Sequence, residues 1–431
     1  METQSYQDWS LSVHDRVVAQ RVPIDGSIEV TRRCNLTCVH CYNNLPLGDE
    51  EAHRTELTYE EHCRLLDEMA AEGCLWLLYT GGEIFVRKDF LDIYTYAKKK
   101  GFLITLFTNA TLITRAVAEY LATWSPFSVE VSLYGCTAAT HDQVTGVAGS
   151  FDKTMRGVRL LMEVGLPPIL KTMVLKANSH EIWDIKRFVE EELGLDFRFD
   201  AMINPRVDPS TALKPRPSIR LGAVRLSNGS GSTLSRPRGE ARGSRRVDSS
   251  TAPLSMRLSP REVVELDLRD SKRLSEWVKF CDHFVRPVQQ SKDGAELYVC
   301  GGAHNAFAID ASGGLSTCVI WHGDKYDLRK GSFKEGWEDF LLKVSRKKTT
   351  RRTKCVACEL RSMCGMCPAN GMLECGDAEE PVDFLCQVAH LRAYAFEIPI
   401  SPHGECEYCP GGTKHEQMMK MVGRLVMRTQ D

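Results

Sequence analysis

Three cysteines near the start of the chain stand close enough in sequence to share one metal centre: Cys34, Cys38 and Cys41. Thiolates bind iron clusters, and three thiolates on one loop can reach three corners of a [4Fe–4S] cube. Because a cube has four irons, three local ligands leave one iron open to a substrate or a small chelate. That arrangement suits a catalytic cluster better than an electron carrier. The same residues leave a zinc site as the alternative, with a fourth ligand from elsewhere such as His40.

A second group of cysteines lies in the last third of the chain. Its members are Cys300, Cys318, Cys355, Cys358, Cys364, Cys367 and Cys386. A zinc-ribbon-like site built from the cysteines between 355 and 367 has a plausible spacing, but it leaves the others unexplained. The pair Cys406 and Cys409 could bind metal, but two cysteines alone are a weak indication, and we expect no cluster there.

The composition favours metal binding over disulfides as the reason for so many cysteines. The 431 residues include 17 cysteines and carry a net charge of −2. Residues 1–20 contain no apolar signal segment, and no run of about 18 apolar residues occurs, so we expect a cytoplasmic protein that does not cross a membrane. A reducing compartment argues against structural disulfides. The charge balance gives no support for nucleic acid or an anionic membrane as a partner.

Between residues 27 and 203, short apolar runs alternate with amphipathic stretches, which predicts six strands alternating with helices. Such strands pair in parallel as βαβ units, and six units indicate an α/β fold with a partial (β/α)6 barrel of the TIM type. In these barrels the functional groups lie at the carboxyl ends of the strands. Cys34, Glu83, Asn109 and Ser132 all fall at such ends.

The composition divides the chain into six parts. We expect an N-terminal segment at 1–26, the barrel at 27–205, a helical bridge at 256–299, a cysteine-rich domain at 300–400 and a tail at 401–431. Residues 206–255, between barrel and bridge, are rich in Arg, Ser, Gly and Pro. This part contains few large apolar residues, so we expect a disordered insertion; a basic arm for an acidic peptide is the alternative.

The first motif resembles that of the radical S-adenosylmethionine superfamily, whose three cysteines have this spacing with an aromatic-type residue before the third, here His40. The segment Thr80-Gly81-Gly82-Glu83, one β/α unit later, strengthens the resemblance. The resemblance implies that Glu83 holds the amino group of S-adenosylmethionine and that the glycines let the backbone approach the cofactor. It also implies cofactor contacts from Ser132 and Asn109, although a polar residue that ends a strand is often only a helix cap. The expected cofactor-binding residues are thus His40, Gly81, Gly82, Glu83, Asn109 and Ser132, and no catalytic side chain is assigned beyond the cluster ligands.

The second cysteine group resembles the SPASM domain, which holds two auxiliary iron–sulfur clusters in enzymes that modify peptides and proteins. The resemblance assigns the first auxiliary cluster, expected as [4Fe–4S], to Cys300, Cys318 and Cys367. It assigns the second to Cys355, Cys358, Cys364 and Cys386. One departure is that only Gly365 and Met366 separate Cys364 from Cys367, where the family usually has three residues. The fourth ligand of the first cluster is Cys281 or Cys375, unless the position is open for a substrate group.

These resemblances imply an enzyme that reductively cleaves S-adenosylmethionine to a 5′-deoxyadenosyl radical, with flavodoxin or ferredoxin as reductant. The SPASM likeness favours a ribosomally made peptide as substrate and a thioether or carbon–carbon crosslink as product. Val319 follows Cys318 where the sulfatase-maturing branch usually has an Asp, which counts against that branch. Because 33 residues precede Cys34, we expect leader recognition by a separate protein or another surface.

Two alternatives to a peptide maturase remain from the sequence. The first is an enzyme of the same class that acts on a small molecule such as a tetrapyrrole. The second is a non-catalytic iron–sulfur electron carrier, against which the Gly-Gly-Glu segment and the barrel pattern argue, since a carrier needs no cofactor pocket.

Overall fold

The computed structural model describes residues 9–10, 12–13, 16–17, 20–207, 252–285, 295–321, 323–403 and 405–428. Most of the insertion expected at 206–255, namely residues 208–251, lies outside the described residues, as does half of the N-terminal segment expected at 1–26.

The described strands form a nine-stranded sheet and a separate two-stranded ribbon. Numbered in chain order, the strands of the large sheet are β1 (Asp25–Thr31), β4 (Trp76–Gly81), β5 (Leu103–Thr108), β6 (Ser128–Ser132), β7 (Ile169–Met173), β8 (Phe197–Asp200), β9 (Ala306–Ile309), β10 (Gly314–Ser316) and β11 (Tyr326–Asp327). The ribbon consists of β2 (Arg33–Cys34) and β3 (Leu45–Pro46), which pair in parallel.

Six strands pair in parallel and in chain order, β1-β4-β5-β6-β7-β8, as a singly wound barrel requires. Alternate residues of β5 are buried, since one side of the strand faces the interior. The predicted α/β fold with a partial barrel is confirmed. Six strands leave the barrel open, and β8 forms one edge of the sheet.

The helices between the strands cover the outside of the sheet. Helix Tyr59–Ala71 begins at a capping box between Thr58 and Glu61 and buries Leu65, Leu66 and Met69. The described α-helices are Glu50–Thr55, Tyr59–Ala71, Phe90–Lys99, Arg115–Thr123, Ala138–Thr145, Ser150–Glu163, Ile182–Arg187, Pro260–Arg269, Ser271–Phe284, Phe333–Glu335, Leu342–Ser345, Arg361–Cys364, Pro368–Cys375, Asp383–Ala395 and His415–Arg428.

The cysteine-rich region continues the barrel sheet on its other edge. Strand β9 pairs in parallel with β1, from Asp25 opposite Ala306 to Ile28 opposite Ile309. Strands β10 and β11 then extend the sheet antiparallel. The expected boundary at residue 300 therefore does not coincide with a break in the sheet.

The bridge and the C-terminal helices pack into one layer against the barrel. Asp267, on helix Pro260–Arg269, is fully buried and accepts hydrogen bonds from Arg392 Nε and Arg273 Nε, both at 2.7 Å. Helix His415–Arg428 buries Met418, Val422 and Leu425 in the main core. The expectation that 401–431 is only a tail is thus corrected, because a described helix of this part contributes to the core.

No helix among the described residues is both long and apolar enough to cross a membrane.

Candidate functional site

The carboxyl ends of the parallel strands surround a cavity of about 850 Å³. The cysteine motif, the Gly-Gly segment and the residues that follow β5 and β6 meet there. Sequence-predicted residues that line the cavity are Cys34, Cys38, His40, Cys41, Gly81, Gly82, Asn109 and Ser132. Val319 and Ile320, next to Cys318 of the C-terminal region, also line it. The barrel site and residues beside Cys318 therefore line the same cavity.

A buried ion pair holds the start of the cysteine loop. Arg33 donates from Nε to Glu56 Oε1 at 2.8 Å and from Nη2 to Glu56 Oε2 at 2.9 Å. The two side chains are 10% and 6% exposed, so the bidentate contact fixes the backbone immediately before Cys34.

Arg206 holds the other end of the same loop. Its guanidinium donates to the carbonyl oxygens of Cys41, at 3.1 Å, and Asn44, at 2.8 Å. The backbone N–H of Val207 also donates to the carbonyl oxygen of Tyr42 at 2.8 Å. The expected insertion from 206 is corrected here, because Arg206 and Val207 are part of the site. Sequence analysis missed Arg206, since it opens an arginine-rich stretch of low complexity.

The middle of the loop is hydrogen-bonded to helix Ala138–Thr145. The N–H groups of Thr37 and Val39 donate to the carbonyl oxygens of Thr145, at 2.9 Å, and Val144, at 3.0 Å. The three cysteines are therefore held by contacts from three separate parts of the barrel.

Donors surround the sulfur atoms of this loop. Burial, followed by the nearby Glu83 carboxylate, raises the pKa of Cys34 to about 12. Against this, the N–H of Leu36 lies 3.4 Å from Cys34 Sγ, and Asn109 Nδ2 lies 3.8 Å from it. Burial also raises the pKa of Cys41, while N–H donors from Asn43 and Asn44 and the charge of Arg206 oppose that rise. Buried thiolates thus require a cation or cluster, and the donors present suit metal-bound sulfur.

Cys34, Cys38, Cys41 and His40, all of which the structure describes, do not lie close enough together to bind a single metal ion. The His40 ring packs edge-on against Tyr134, with centroids 4.8 Å apart. Burial lowers the pKa of His40 to about 4, so the ring is neutral at neutral pH. The spacing of the three thiols favours a polynuclear cluster over zinc.

The glycine pair lies against the strand that leads into the cysteine loop. Gly81 has a φ of +125°, and a Cβ atom there would lie 2.1 Å from the carbonyl oxygen of Thr31. A Cβ on Gly82 would lie 2.2 Å from the carbonyl oxygen of Arg33. The N–H of Gly82 donates to Thr31 O at 2.7 Å. Glycine is therefore required here by the protein's own backbone, in addition to any approach to a cofactor.

Replacing Gly82 by alanine is expected to lower the free energy of unfolding by about 2–4 kcal/mol, because the Cβ overlaps a backbone atom that cannot rotate away. Chemical denaturation followed by circular dichroism measures the effect. Gly48→Ala is the matched control, since no atom lies within 4 Å of a Cβ at that position. Equal stability of the two variants would contradict this account of the glycine pair.

Glu83 lies behind the cavity wall and is fully buried. Its carboxylate accepts hydrogen bonds from Thr108 Oγ1 and the Asn109 N–H, both at 2.7 Å, and from the Phe85 N–H at 3.3 Å. Burial raises the pKa of Glu83 to about 7, against these donors. The carboxylate thus holds the backbone that presents Asn109 to the cavity, and it lies near Cys34.

The polar residues after β5 and β6 connect the strands to the cysteine loop. Asn109 donates from Nδ2 to Asn35 Oδ1 at 3.0 Å and accepts from the Thr111 N–H at 2.9 Å. Ser132 is hydrogen-bonded to Tyr134, whose ring also lies near Cys38. Tyr134 was missed by sequence analysis, because one Tyr after a strand has no distinguishing pattern.

The structure brings together the cysteines assigned to the first auxiliary cluster. Burial and the neighbouring thiols of Cys367 and Cys300 raise the pKa of Cys318 to about 11. The phenol of Tyr298 lies near all three thiols. Three cysteines separated by 67 positions along the chain thus meet at one point.

The cysteines assigned to the second auxiliary cluster also meet. Cys386 contacts the thiols of both Cys355 and Cys364, and Cys358 lies beside them. Contact with those two thiols lowers the pKa of Cys386. Helix Asp383–Ala395 supplies Cys386, whereas the other three come from the segment 355–364.

Neither candidate for the fourth ligand of the first set lies with that set. Cys281 packs among Cys358, Met363 and Cys364, with its Sγ 4.0 Å from Met363 Sδ. Cys375 is exposed at the end of helix Pro368–Cys375, near Glu374 and Asp377. Cys281 is therefore placed beside the second set of cysteines.

A partial parallel barrel whose strand ends hold a three-cysteine loop and a Gly-Gly-Glu segment defines the radical S-adenosylmethionine class. In agreement, the family model described as the Radical SAM superfamily matches residues 28–189. The chain contains a radical SAM domain, has relatives in the SPASM subgroup and carries a C-terminal cysteine-rich region. Residues 28–189 therefore form a domain of a superfamily whose members are enzymes that bind a [4Fe–4S] cluster and S-adenosylmethionine.

Relatives match the chain over two different lengths. The "AdoMet-dependent heme synthase" of Methanosarcina barkeri is 26% identical over 374 residues, which cover 82% of this chain and 94% of the relative. The "PqqA peptide cyclase" of Rhodopseudomonas palustris is 33% identical over 175 residues, covering 41% of this chain and 45% of the relative.

The similarity to solved structures extends beyond the barrel. SuiB of Streptococcus suis, in its structure with bound S-adenosylmethionine, superposes with a TM-score of 0.56 at 16% identity. The superposition covers 90% of this chain and 82% of SuiB. The C-terminal region of this chain is thus included in the shared fold.

Proposed function

We propose that this enzyme binds S-adenosylmethionine in the barrel cavity and uses it to abstract hydrogen from a substrate that enters between the barrel and the C-terminal region. The observation that carries the proposal is the single cavity in which Cys34, Cys38 and Cys41 face Gly81, Gly82, Asn109 and Ser132. Cavities of this size are typical of cofactor and substrate sites.

The residues present fit the cluster. Cys34, Cys38 and Cys41 would hold it, and the N–H donors around their sulfur atoms would stabilise the thiolates. When bound, the cluster supplies the electron that cleaves S-adenosylmethionine to methionine and a 5′-deoxyadenosyl radical. The barrel residues of the cavity wall would position the cofactor and the substrate carbon.

Glu83 has two proposed roles in cofactor binding. It holds Thr108 and Asn109 at the cavity wall, and its charge would attract the amino group of the cofactor. Replacing Glu83 by alanine is expected to weaken binding of S-adenosylmethionine about 10- to 100-fold, because the negative charge near the amino group and the support of the Asn109 backbone are lost together. Equilibrium dialysis with the reconstituted protein measures the dissociation constant.

Glu83→Gln is the matched variant, because it keeps the size of the side chain and removes its charge. Weakening in both variants would show that the charge matters. Wild-type affinity in Glu83→Ala would remove Glu83 from the proposed site.

We further propose that Cys300, Cys318 and Cys367 bind one auxiliary iron–sulfur cluster and that Cys355, Cys358, Cys364 and Cys386 bind another. The support is that each set converges in the fold from distant parts of the sequence. The first set adjoins the cavity through Val319 and Ile320. A cluster there would be placed to accept an electron from the substrate or to bind one of its groups.

For the substrate we propose a ribosomally made peptide. The cavity wall beyond the cofactor residues carries charges of both signs, including Lys171, Asp200, Arg273 and Glu276, which suits a chain with mixed polar groups. Two similar proteins support this choice by name: the PqqA peptide cyclase, and SuiB, which has a structure bound to precursor peptide SuiA. A separate leader-binding protein and a flavodoxin or ferredoxin are the proposed partners.

A tetrapyrrole is the second candidate substrate, and one observation favours it. The relative named AdoMet-dependent heme synthase matches over 94% of its length, whereas the peptide cyclase matches over 45%. The extended match includes the C-terminal region, which adjoins the cavity.

One experiment separates the two substrates. Wild-type protein is titrated with Fe-coproporphyrin and, separately, with peptides encoded beside its own gene, and 5′-deoxyadenosine is measured in each case. Stimulation of at least about tenfold by a peptide, with deuterium transfer from that peptide to 5′-deoxyadenosine, is expected. Stimulation by the porphyrin alone would replace the peptide proposal by the tetrapyrrole one.

A further inference from the structure

Four buried side chains near the C-terminus converge outside the two auxiliary sets. They are His390, His403, Cys406 and Cys409, and one ligand atom from each lies within 4.8 Å of the others. Their residues are 2%, 7%, 5% and 2% exposed. Among the residues that the structure describes, this is the one group of three or more potential metal ligands with such a spacing.

We propose that these four residues bind a single zinc ion. The Nε2 atom of His390 lies 3.4 Å from Cys409 Sγ and 3.5 Å from Cys406 Sγ, and His403 places Nδ1 at 3.2 Å and Nε2 at 3.8 Å from Cys409 Sγ. In a tetrahedral zinc site the distance between a nitrogen and a sulfur ligand is about 3.5 Å, given Zn–S and Zn–N bonds of about 2.3 and 2.0–2.1 Å. The observed spacing is that of ligands around one ion.

The surroundings of both histidines orient them as ligands. His390 Nδ1 lies 2.7 Å from the carbonyl oxygen of Cys386, and His403 Nδ1 lies 3.2 Å from that of Ser401. A carbonyl oxygen only accepts hydrogen bonds, so Nδ1 of His390 carries the proton and its Nε2, which faces both sulfur atoms, keeps a lone pair for a metal. Both ring nitrogens of His403 lie within 3.8 Å of Cys409 Sγ, and its Nδ1 is the nearer of the two. Histidine ligands of zinc are commonly fixed in this way by a second hydrogen bond.

The charge balance also favours zinc. Two thiolates and two neutral imidazoles cancel the charge of Zn²⁺, so the loaded site can be buried at low cost, unlike two unpaired thiolates. Four protein ligands leave no open position, which is typical of a structural site. The ligands of a cubane cluster lie further from one another than the ligands of a single ion. The four atoms of this group are too close together for a cubane.

The segment that carries Cys406 and Cys409 is held against helix Asp383–Ala395. Tyr394 Oη donates to Tyr408 O at 2.9 Å, and Tyr408 Oη donates to Asp383 at 2.5 Å. Lys354 pairs with Glu407 at 2.8 Å. The zinc ion would thus fix the C-terminal segment onto the helix that carries Cys386, and the His403 ring contacts Cys358. It would stabilise the region that holds the second auxiliary set.

The test measures zinc and iron per chain in full-length protein purified anaerobically, incubated with one equivalent of zinc chloride and freed of unbound metal. Wild type and the control Cys375→Ser, which changes an exposed cysteine of the same region, are expected to retain about one zinc per chain. Cys406→Ser and His403→Gln are expected to retain less than about a tenth of that amount. A loss of zinc in these two variants supports the proposal whether or not iron falls as well.

X-ray absorption at the zinc edge of wild-type protein provides a measurement that needs no variant to fold. A first shell of two sulfur and two nitrogen ligands is expected. A wild type that binds no zinc, variants that keep it, a different ligand shell, or a Cys406–Cys409 disulfide in the wild type would overturn the proposal.

Discussion

Replacing any one of Cys34, Cys38 and Cys41 by alanine is expected to reduce the cleavage of S-adenosylmethionine by at least about a thousandfold. Each cysteine is placed by contacts independent of the other two, through Arg33, helix Ala138–Thr145 and Arg206. No other described thiol lines the cavity, so no neighbour can replace a missing ligand. The yield of 5′-deoxyadenosine after reduction with dithionite measures the effect.

The variants also separate the barrel from the C-terminal region. Loss of the barrel cluster should remove about four irons per chain and leave the remaining iron in place, because the cysteines of the two C-terminal sets all lie between residues 300 and 386, outside this loop. Cys63→Ala is the control, since Cys63 lies on helix Tyr59–Ala71 away from the cavity. Cleavage that persists in Cys34→Ala would refute the assignment of the loop.

Anaerobically reconstituted wild-type protein is expected to bind roughly 12 irons, as three [4Fe–4S] clusters. The motivation is the convergence of two C-terminal cysteine sets in addition to the barrel loop. The double variant Cys355→Ala/Cys364→Ala should lose about four irons, because both of these thiols contact Cys386. Iron analysis with Mössbauer spectroscopy measures cluster number and type.

One iron content would contradict the two auxiliary clusters. About four irons per chain in wild-type protein, unchanged in the double variant, would mean that the C-terminal cysteines bind no auxiliary cluster. The zinc proposed at His390 and its three partners is measured separately and does not enter this count.

Sequence patterns predicted the barrel because its strands and helices are local. The six strands expected between residues 27 and 203 correspond to β1 and to β4 through β8, and helices lie between them as expected. Strand β9 was not predicted, since four residues of a cysteine-rich region carry no sign that they pair with β1, about 280 positions away.

Only those residues of the candidate site that belong to a sequence motif could be predicted. The spacing of the first cysteines and the Gly-Gly-Glu segment identified residues that do line or adjoin one cavity. The sequence predicts that the glycines let the backbone approach a cofactor. It does not predict that Gly82 packs against the backbone of Arg33, because that is a tertiary contact. Arg206 gave no sequence indication, since its role depends on where the chain returns after β8.

The zinc site shows why the C-terminal cysteines were underestimated. In the sequence, Cys406 and Cys409 are only a pair. The two histidines that complete the group lie in other elements of the chain. His390 lies on helix Asp383–Ala395, whereas His403 lies in the segment that follows it. Only the packing of that segment against the helix brings the four together.

The most direct test of the central claim measures 5′-deoxyadenosine and methionine formed from S-adenosylmethionine by reduced, reconstituted wild-type protein, with its iron content determined in parallel. Both products are expected to form in equal amounts with wild-type protein, and neither is expected with Cys34→Ala. Absence of both products from wild-type protein with a full iron content would contradict the assignment of the cavity as a radical S-adenosylmethionine site.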